Sequence, residues 1–163
     1  MIFDSHIYCF PAPDTSGGHP TTSVHLALWQ RAYALHHQPA YRMRDRAPGD
    51  SRLLLDPHPA EPLRLATNRN FRLDHRSQRM VWTVDGEDYT KQLLPPNITE
   101  FSVGAAIAEM DYAGIDWALI HTDAMLTRDV TYIASCVKSA PDRLLAMAPI
   151  DELLIPTDAD SAH

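Results

Sequence analysis

Residues 109–120, with the sequence EMDYAGIDWALI, decide the fold because they join the end of a helix to a buried strand. Gly114 stands where helices commonly end in a left-handed residue, and Ile115 is the apolar residue that often follows such an end. Residues 117–120 (WALI) form a continuous apolar run, which is typical of a parallel strand covered on both faces. The stretch therefore predicts a helix followed by a strand of a parallel sheet.

The same alternation of helix and strand continues on both sides of this stretch. A helix that begins after Thr99 or Ser102 precedes it, a second helix spans roughly 130–140, and a further strand is predicted at 144–150. The two strands begin 27 residues apart (144 − 117), close to the roughly 30 residues of a βαβ unit. Residues 2–7 contain the apolar residues Ile2, Phe3 and Ile7, two of them β-branched, and predict a buried first strand.

Three parallel strands joined in this way predict an α/β fold, namely about three of the eight strands of a TIM-like (β/α)₈ barrel. Because such a barrel takes about 250 residues and this chain has 163, we expect residues 1–163 to form a single, incomplete domain. Its parts are strand 1 at 1–10, an insertion at 11–98, βα units at 99–151 and a frayed tail at 152–163.

The insertion is predicted to contain a helix and a β-meander. Ser23 is expected to cap a helix that runs to about Gln38, and the proline-rich residues 39–62 predict an irregular segment. Strands are predicted at 70–74, 79–84 and 87–93. The Asp85-Gly86 pair between the last two indicates a type I′ hairpin.

Composition narrows the function classes. A net charge of −7 argues against a general nucleic-acid surface, and no apolar run approaches the ~18 residues of a membrane span. The two cysteines, Cys9 and Cys136, form no CxxC pair, and Cys9 is expected to be a buried, inert thiol without an evident partner. We expect a cytoplasmic protein that has no nucleic-acid or membrane partner and can form a homo-oligomer.

Polar side chains follow the predicted parallel strands at their carboxyl ends, where parallel barrels place active sites. His6 and Tyr8 are two residues apart in the first strand and should share a face. His121 and Asp123 follow the second strand and Asp151 follows the third, so these three are candidate catalytic residues. Strand-end hydrogen bonding and loop capping are the alternative interpretation for each of them.

Three segments combine into a resemblance: residues 2–8 (IFDSHIY), residues 109–120 and residues 141–151 (PDRLLAMAPID). Their order resembles the amidohydrolase superfamily, in particular its amidohydrolase-related branch of metal-dependent hydrolases and non-oxidative decarboxylases. The resemblance implies a distorted TIM barrel with a divalent metal, Zn or Mn, at its mouth. It assigns His6 as a metal ligand, while Tyr8 occupies the position of the second histidine of the family's His-x-His motif.

A phenol in place of an imidazole is a departure from the family pattern, since the unperturbed pKa of tyrosine is near 10. The resemblance also implies a small-molecule substrate. The family's other ligands come from later strands, so we expect this polypeptide by itself to bind metal weakly or not at all and to be inactive. Two alternatives remain open: a degenerate, non-catalytic relative, and a small α/β interaction module.

Overall fold

The computed structural model describes residues 1–93 and 99–148. These residues form a mixed α/β fold with two separate sheets, and they divide into two compact units. In chain order the elements are β1 (Phe3–Tyr8), α1 (Thr22–Leu35), β2 (Ala40–Arg42), β3 (Pro48–Gly49), a 3₁₀ helix (Ser51–Leu54), β4 (Arg72–Asp74), β5 (Arg79–Val84), β6 (Glu87–Lys91), α2 (Val103–Ala113), β7 (Trp117–His121), α3 (Val130–Ser139) and β8 (Leu144–Ala146).

Unit 1 contains residues 1–11, 17–19 and the described residues from 101 onward. Its sheet has three strands in the order β1-β7-β8, and both strand pairs are parallel. Strands that follow one another along this unit are therefore neighbours in the sheet, with α2 and α3 as the connections. The predicted parallel α/β arrangement of these strands is confirmed. The prediction that the first strand is buried was wrong, because β1 lies at the edge of the sheet and none of its residues is buried.

The core of unit 1 lies between this sheet and its two helices. Side chains from all three strands or their ends pack with side chains from α2 and α3, and the cluster consists of Cys9, Ala106, Met110, Ala118, Ile120, Ile133, Cys136 and Leu144. Ala118 and Ile120 alternate along β7 with residues of the opposite face, as the period of two in a strand requires. The helices thus cover one face of the sheet, and His121 belongs to the alternate set.

The junction between α2 and β7 follows the sequence prediction closely. Gly114 ends α2 with φ +70°, a conformation that glycine adopts without a Cβ penalty. The amide of Ile115 donates to the carbonyl of Met110 at 2.8 Å, which satisfies an otherwise unpaired carbonyl of the last turn. Arg143 then donates to the carbonyls of Ile115 and Asp116, which ties the start of β7 to the residue before β8.

Unit 2 contains residues 12–16 and the described residues of 20–100. Its five strands are antiparallel in the order β3-β2-β6-β5-β4. Asp85 and Gly86 both have positive φ, at 52° and 79°, between Val84 and Glu87, which are paired. The predicted type I′ hairpin is confirmed, because only this turn family needs positive φ at both central residues.

Two predictions for unit 2 were wrong in their details. Thr21, not Ser23, caps α1 by accepting a hydrogen bond from the amide of Val24, and the helix ends at Leu35 rather than near Gln38. Residues 39–62 are not irregular throughout, because they contain β2, β3 and the 3₁₀ helix. β2 is stabilised by its hydrogen bonds to β6. Because this pairing is not local, the short sequence of β2 contained little evidence of a strand.

Closure of the three parallel strands into a barrel remains a prediction. The strand predicted at 144–150 is observed at Leu144–Ala146. Asp151 and the tail at 152–163 lie outside the described residues.

In the described part of the chain, no helix has both the length and the apolar character needed to cross a membrane.

The buried face of β7 provides a test of where the stability of unit 1 resides. Ile120→Ala removes a side chain that is 0% exposed and should lower the free energy of unfolding by about 3 kcal/mol through lost transfer energy and a new cavity. Leu145→Ala is the control, because Leu145 is 48% exposed and should lose less than about 1 kcal/mol. Urea denaturation followed by circular dichroism measures both. Equal losses in the two variants would contradict this location of the core.

Candidate functional site

The register between β1 and β7 is irregular near the carboxyl edge of the parallel sheet. Asp4 pairs with Ala118 and Ile7 pairs with Ile120, so three steps along β1 oppose two steps along β7. This is a β-bulge, in which one extra residue leaves backbone groups without ladder partners. The residues inside the bulge are Ser5 and His6.

Side chains form hydrogen bonds with two backbone groups of the bulge. The carboxylate of Asp4 accepts a hydrogen bond from the amide of His6 at 2.9 Å. The carbonyl of Ser5 lies 2.8 Å from Nε2 of His121 at the end of β7. Because a carbonyl oxygen can only accept, Nε2 of His121 must carry a proton. Neutral His121 therefore presents its Nδ1 as a lone pair.

Three aromatic side chains meet at this edge, and we call His6, Tyr8 and His121 the strand-end cluster. Nε2 of His6 and the hydroxyl of Tyr8 are 2.8 Å apart, within hydrogen-bonding distance. The imidazoles of His6 and His121 are stacked, with centroids 4.1 Å apart and planes that differ by 2°. Tyr8 and His121 meet edge to face at 6.4 Å. The expectation that His6 and Tyr8 share a face is thus met.

Solvent reaches the strand-end cluster. His6 is exposed, and Tyr8 and His121 are partly buried. The hydrogen bond between Tyr8 and His6 can be formed with the proton on either partner. Such a pair can give a proton to, or take one from, a bound molecule.

The other predicted site residues lie elsewhere or beyond the described residues. Asp123 is exposed, and its Oδ1 accepts a hydrogen bond from the amide of Met125 at 2.8 Å. Its carbonyl accepts from the amides of Leu126 and Thr127, so Asp123 caps its own loop. Within the described part of the chain, it makes no hydrogen bond to the strand-end cluster. Asp151 lies outside the described residues.

The strand-end cluster does not fit a shared metal ion. The lone pair of an imidazole nitrogen lies in the plane of its ring, so two rings in parallel planes cannot direct lone pairs at one ion. Catalytic zinc sites generally take three protein ligands. Residues 1–93 and 99–148 contain no group of three or more His, Cys, Asp or Glu side chains arranged to hold a metal. His6 thus lies at the expected strand end, but the observed arrangement offers at most one free imidazole nitrogen at a time to an ion.

Sequence reasoning missed the contact between the two cysteines. Cys9 and Cys136 are 1% and 2% exposed and lie in the same core cluster. Interaction with the Cys136 side chain, together with burial, raises the pKa of Cys9. The expectation that Cys9 is buried is confirmed, and the structure adds Cys136 as a neighbour that was not evident from the sequence. No local signal could have revealed a contact between residues so far apart in the sequence.

The sequence analysis also missed the bulge, although the residues around it break the expected pattern of a strand. The Asp4-Ser5-His6 run places three polar residues in succession inside a short apolar strand, which breaks strict alternation. Because Ser, Asp and His at a strand end are also common without a bulge, that trace could not by itself place the extra residue.

Comparison of the chain with protein-family models, with curated proteins and with solved structures found no match. The resemblance to amidohydrolase-related proteins therefore rests on the quoted segments of sequence alone.

The hydrogen bond from His121 to Ser5 predicts which tautomer the histidine adopts. In its neutral form, His121 should carry its proton on Nε2, because that nitrogen faces the carbonyl of Ser5. Long-range ¹H–¹⁵N correlation spectra distinguish the tautomers, and His121→Gln identifies the signal. A neutral ring protonated on Nδ1 would contradict the bulge geometry.

The buried thiol pair predicts low reactivity in the native protein. A thiol-specific aromatic disulfide reagent should modify native Cys9 and Cys136 at least about 100-fold more slowly than the urea-unfolded chain, because reaction requires local opening of the core. Single Cys→Ala variants separate the two rates. Fast modification of either thiol without denaturant would show that the core of unit 1 opens readily.

Proposed function

We propose that this chain belongs to a small-molecule hydrolase or non-oxidative decarboxylase of the amidohydrolase-related type, and that the strand-end cluster is its reaction site. The observation that carries the proposal is the meeting of His6, Tyr8 and His121 at the carboxyl edge of a parallel sheet. Side chains at that edge commonly carry the chemistry of parallel β/α folds. The sequential strand order β1-β7-β8 is also the order of neighbouring barrel strands.

Each member of the cluster has a chemical role in this proposal. The Tyr8–His6 pair shares one proton across 2.8 Å and moves it to or from the substrate or an attacking water. His121 is held by Ser5 and offers Nδ1 as an acceptor for a substrate N–H or O–H. The stacked ring of His121 also restricts the orientation of His6.

The Zn or Mn cofactor remains a prediction from the resemblance. Since the described residues do not supply a ligand set for it, no step of the reaction is assigned to a metal here. The family pattern also leaves Tyr8 where a second imidazole is expected. These two observations favour the second candidate, a non-catalytic relative that retains the fold and the strand-end cluster without turnover.

Metal titration tests the cofactor prediction on the 163-residue chain. We expect only weak binding of Zn²⁺ or Mn²⁺ by calorimetry, lowered further in His121→Ala and unchanged in His58→Ala, an exposed control histidine. Stoichiometric zinc that is lost on His6→Ala would show that the cluster rearranges into a metal site.

Activity is tested on the complete product of the reading frame that encodes this chain, with amides, esters and aromatic carboxylic acids as substrates and with added Zn²⁺ or Mn²⁺. Tyr8→Phe should lower turnover by about 100-fold or more, as expected for loss of a general acid or base. His58→Ala should leave turnover unchanged. Turnover that is indifferent to Tyr8→Phe and His6→Ala would remove the strand-end cluster from the mechanism. No turnover on any substrate class would favour the non-catalytic relative.

A further inference from the structure

Two guanidinium groups contact one tyrosine of unit 2. Nη1 of Arg79 donates a hydrogen bond to the hydroxyl of Tyr41 at 3.0 Å. Cζ of Arg46 lies 4.9 Å from the centroid of the Tyr41 ring, which is a cation–π distance. We call these three residues the arginine–tyrosine group. It belongs to unit 2, whereas the strand-end cluster belongs to unit 1.

Neither guanidinium of this group has a carboxylate partner. Within residues 1–93 and 99–148, Arg46 and Arg79 form no ion pair, although five other arginines do, namely Arg42, Arg44, Arg64, Arg72 and Arg143. Two positive charges beside one tyrosine repel each other, and an anion bound between them would replace that repulsion by attraction.

The carboxylates nearest to the two arginines in sequence and in register are engaged by other donors. Asp45 precedes Arg46, but its two oxygens accept hydrogen bonds from Arg42 at 2.9 and 2.7 Å. Asp74 is the register partner of Arg79 in the pairing of β4 with β5, but its carboxylate accepts hydrogen bonds from the turn that follows β4. The two guanidinium groups therefore keep donors available for a ligand.

Solvent reaches the arginine–tyrosine group, so its donors are accessible to a dissolved ion. Arg46 is exposed, and Tyr41 and Arg79 are partly buried. A guanidinium has five N–H donors, and Arg79 uses one of them on Tyr41. Because the oxygen of Tyr41 accepts that bond, its hydroxyl proton is left to donate to another acceptor.

The backbone at Arg46 is a second indication that its side chain has a use. Arg46 has φ +63° in the turn that joins β2 to β3. Glycine adopts this left-handed conformation without a steric penalty, whereas a residue with a Cβ does not. An arginine at this position is therefore unfavourable for the backbone, which favours a role for its guanidinium.

From these observations we infer that unit 2 binds a phosphate group at Arg46 and Arg79, either as free phosphate or as a small phosphate monoester. The two charges of a phosphate dianion match the two guanidinium groups, and its oxygens accept from their N–H groups and from the hydroxyl of Tyr41. A carboxylate has one charge and two oxygens, so it satisfies fewer of these donors. Because Arg46 is exposed, its side chain can turn from the ring of Tyr41 toward the bound anion.

Inorganic phosphate and methyl phosphate are the probes for this site. Each is added to the ¹⁵N-labelled chain at about pH 8, where phosphate monoesters are dianionic, with sodium chloride keeping the ionic strength constant. The backbone amide signals of Tyr41, Arg46 and Arg79 should shift saturably at millimolar concentration. Acetate should bind at least about tenfold more weakly, because it has one charge fewer. Tighter binding of methyl phosphate would identify the ester as the ligand, and tighter binding of inorganic phosphate would identify the free ion.

Substitutions make the test specific to the arginine–tyrosine group. Arg46→Gln and Arg79→Gln should each weaken phosphate binding by about tenfold, the equivalent of losing a hydrogen bond to a charged group. Arg79→Lys keeps the charge and should weaken binding less than Arg79→Gln does. Arg31→Gln is the matched control, because Arg31 is an exposed arginine of the same unit that forms no ion pair in the described part of the chain, and it should leave binding unchanged.

Several results would overturn the inference. One is the lack of any saturable shift up to about 50 mM phosphate, and another is acetate binding as tight as that of phosphate. An equal loss of binding in Arg31→Gln and Arg46→Gln would show a general effect of net charge, and unchanged binding in Arg46→Gln and Arg79→Gln would place the phosphate elsewhere. Since Arg46 is exposed, its substitution tests the site without disturbing the core of unit 2.

Discussion

The parallel pairing of β1 with β7 is the constraint on which the strand-end cluster depends. Parallel strands bring their carboxyl ends to the same edge, so the pairing alone brings the end of β1 close to His121. The extra residue in β1 then turns Ser5 so that its carbonyl meets His121, and the amide of His6 meets Asp4.

The same pairing determines how the faces of the parallel sheet are used. Ala118 and Ile120 face the helices and are completely buried, while the strand-end cluster occupies the alternate positions. Burial on the helix side supplies stability through apolar area and close packing. The stability that the buried face of β7 provides does not depend on the polar side chains at the strand ends.

In unit 2, an antiparallel sheet determines which aromatic side chains meet. Its hairpin places Trp82 and Tyr89 opposite each other, and the edge residue Gly49 leaves room for the Tyr89 ring. Most buried polar groups in proteins have a hydrogen-bond partner. The indole Nε1 of Trp82 is an exception among the described residues, because it is buried without a hydrogen-bond partner.

The sequence by itself determined the elements whose signals are local. The Gly114 helix end, the apolar run of β7 and the Asp85-Gly86 turn were all predictable, since each depends on residues within a few positions of one another. The placement of His6 and Tyr8 on one face followed from the period of two in a strand. What the sequence could not determine is which distant residues meet.

Only the tertiary structure decided the stacking of His6 on His121, the thiol contact of Cys9 with Cys136 and the missing acceptor of Trp82. The short strand β2 forms because it pairs with β6, and its own sequence contains no clear strand signal. Each of these features joins residues far apart in the chain through packing and register. A register shift of a single residue, such as the bulge in β1, changes which groups meet, and local propensity does not encode that shift.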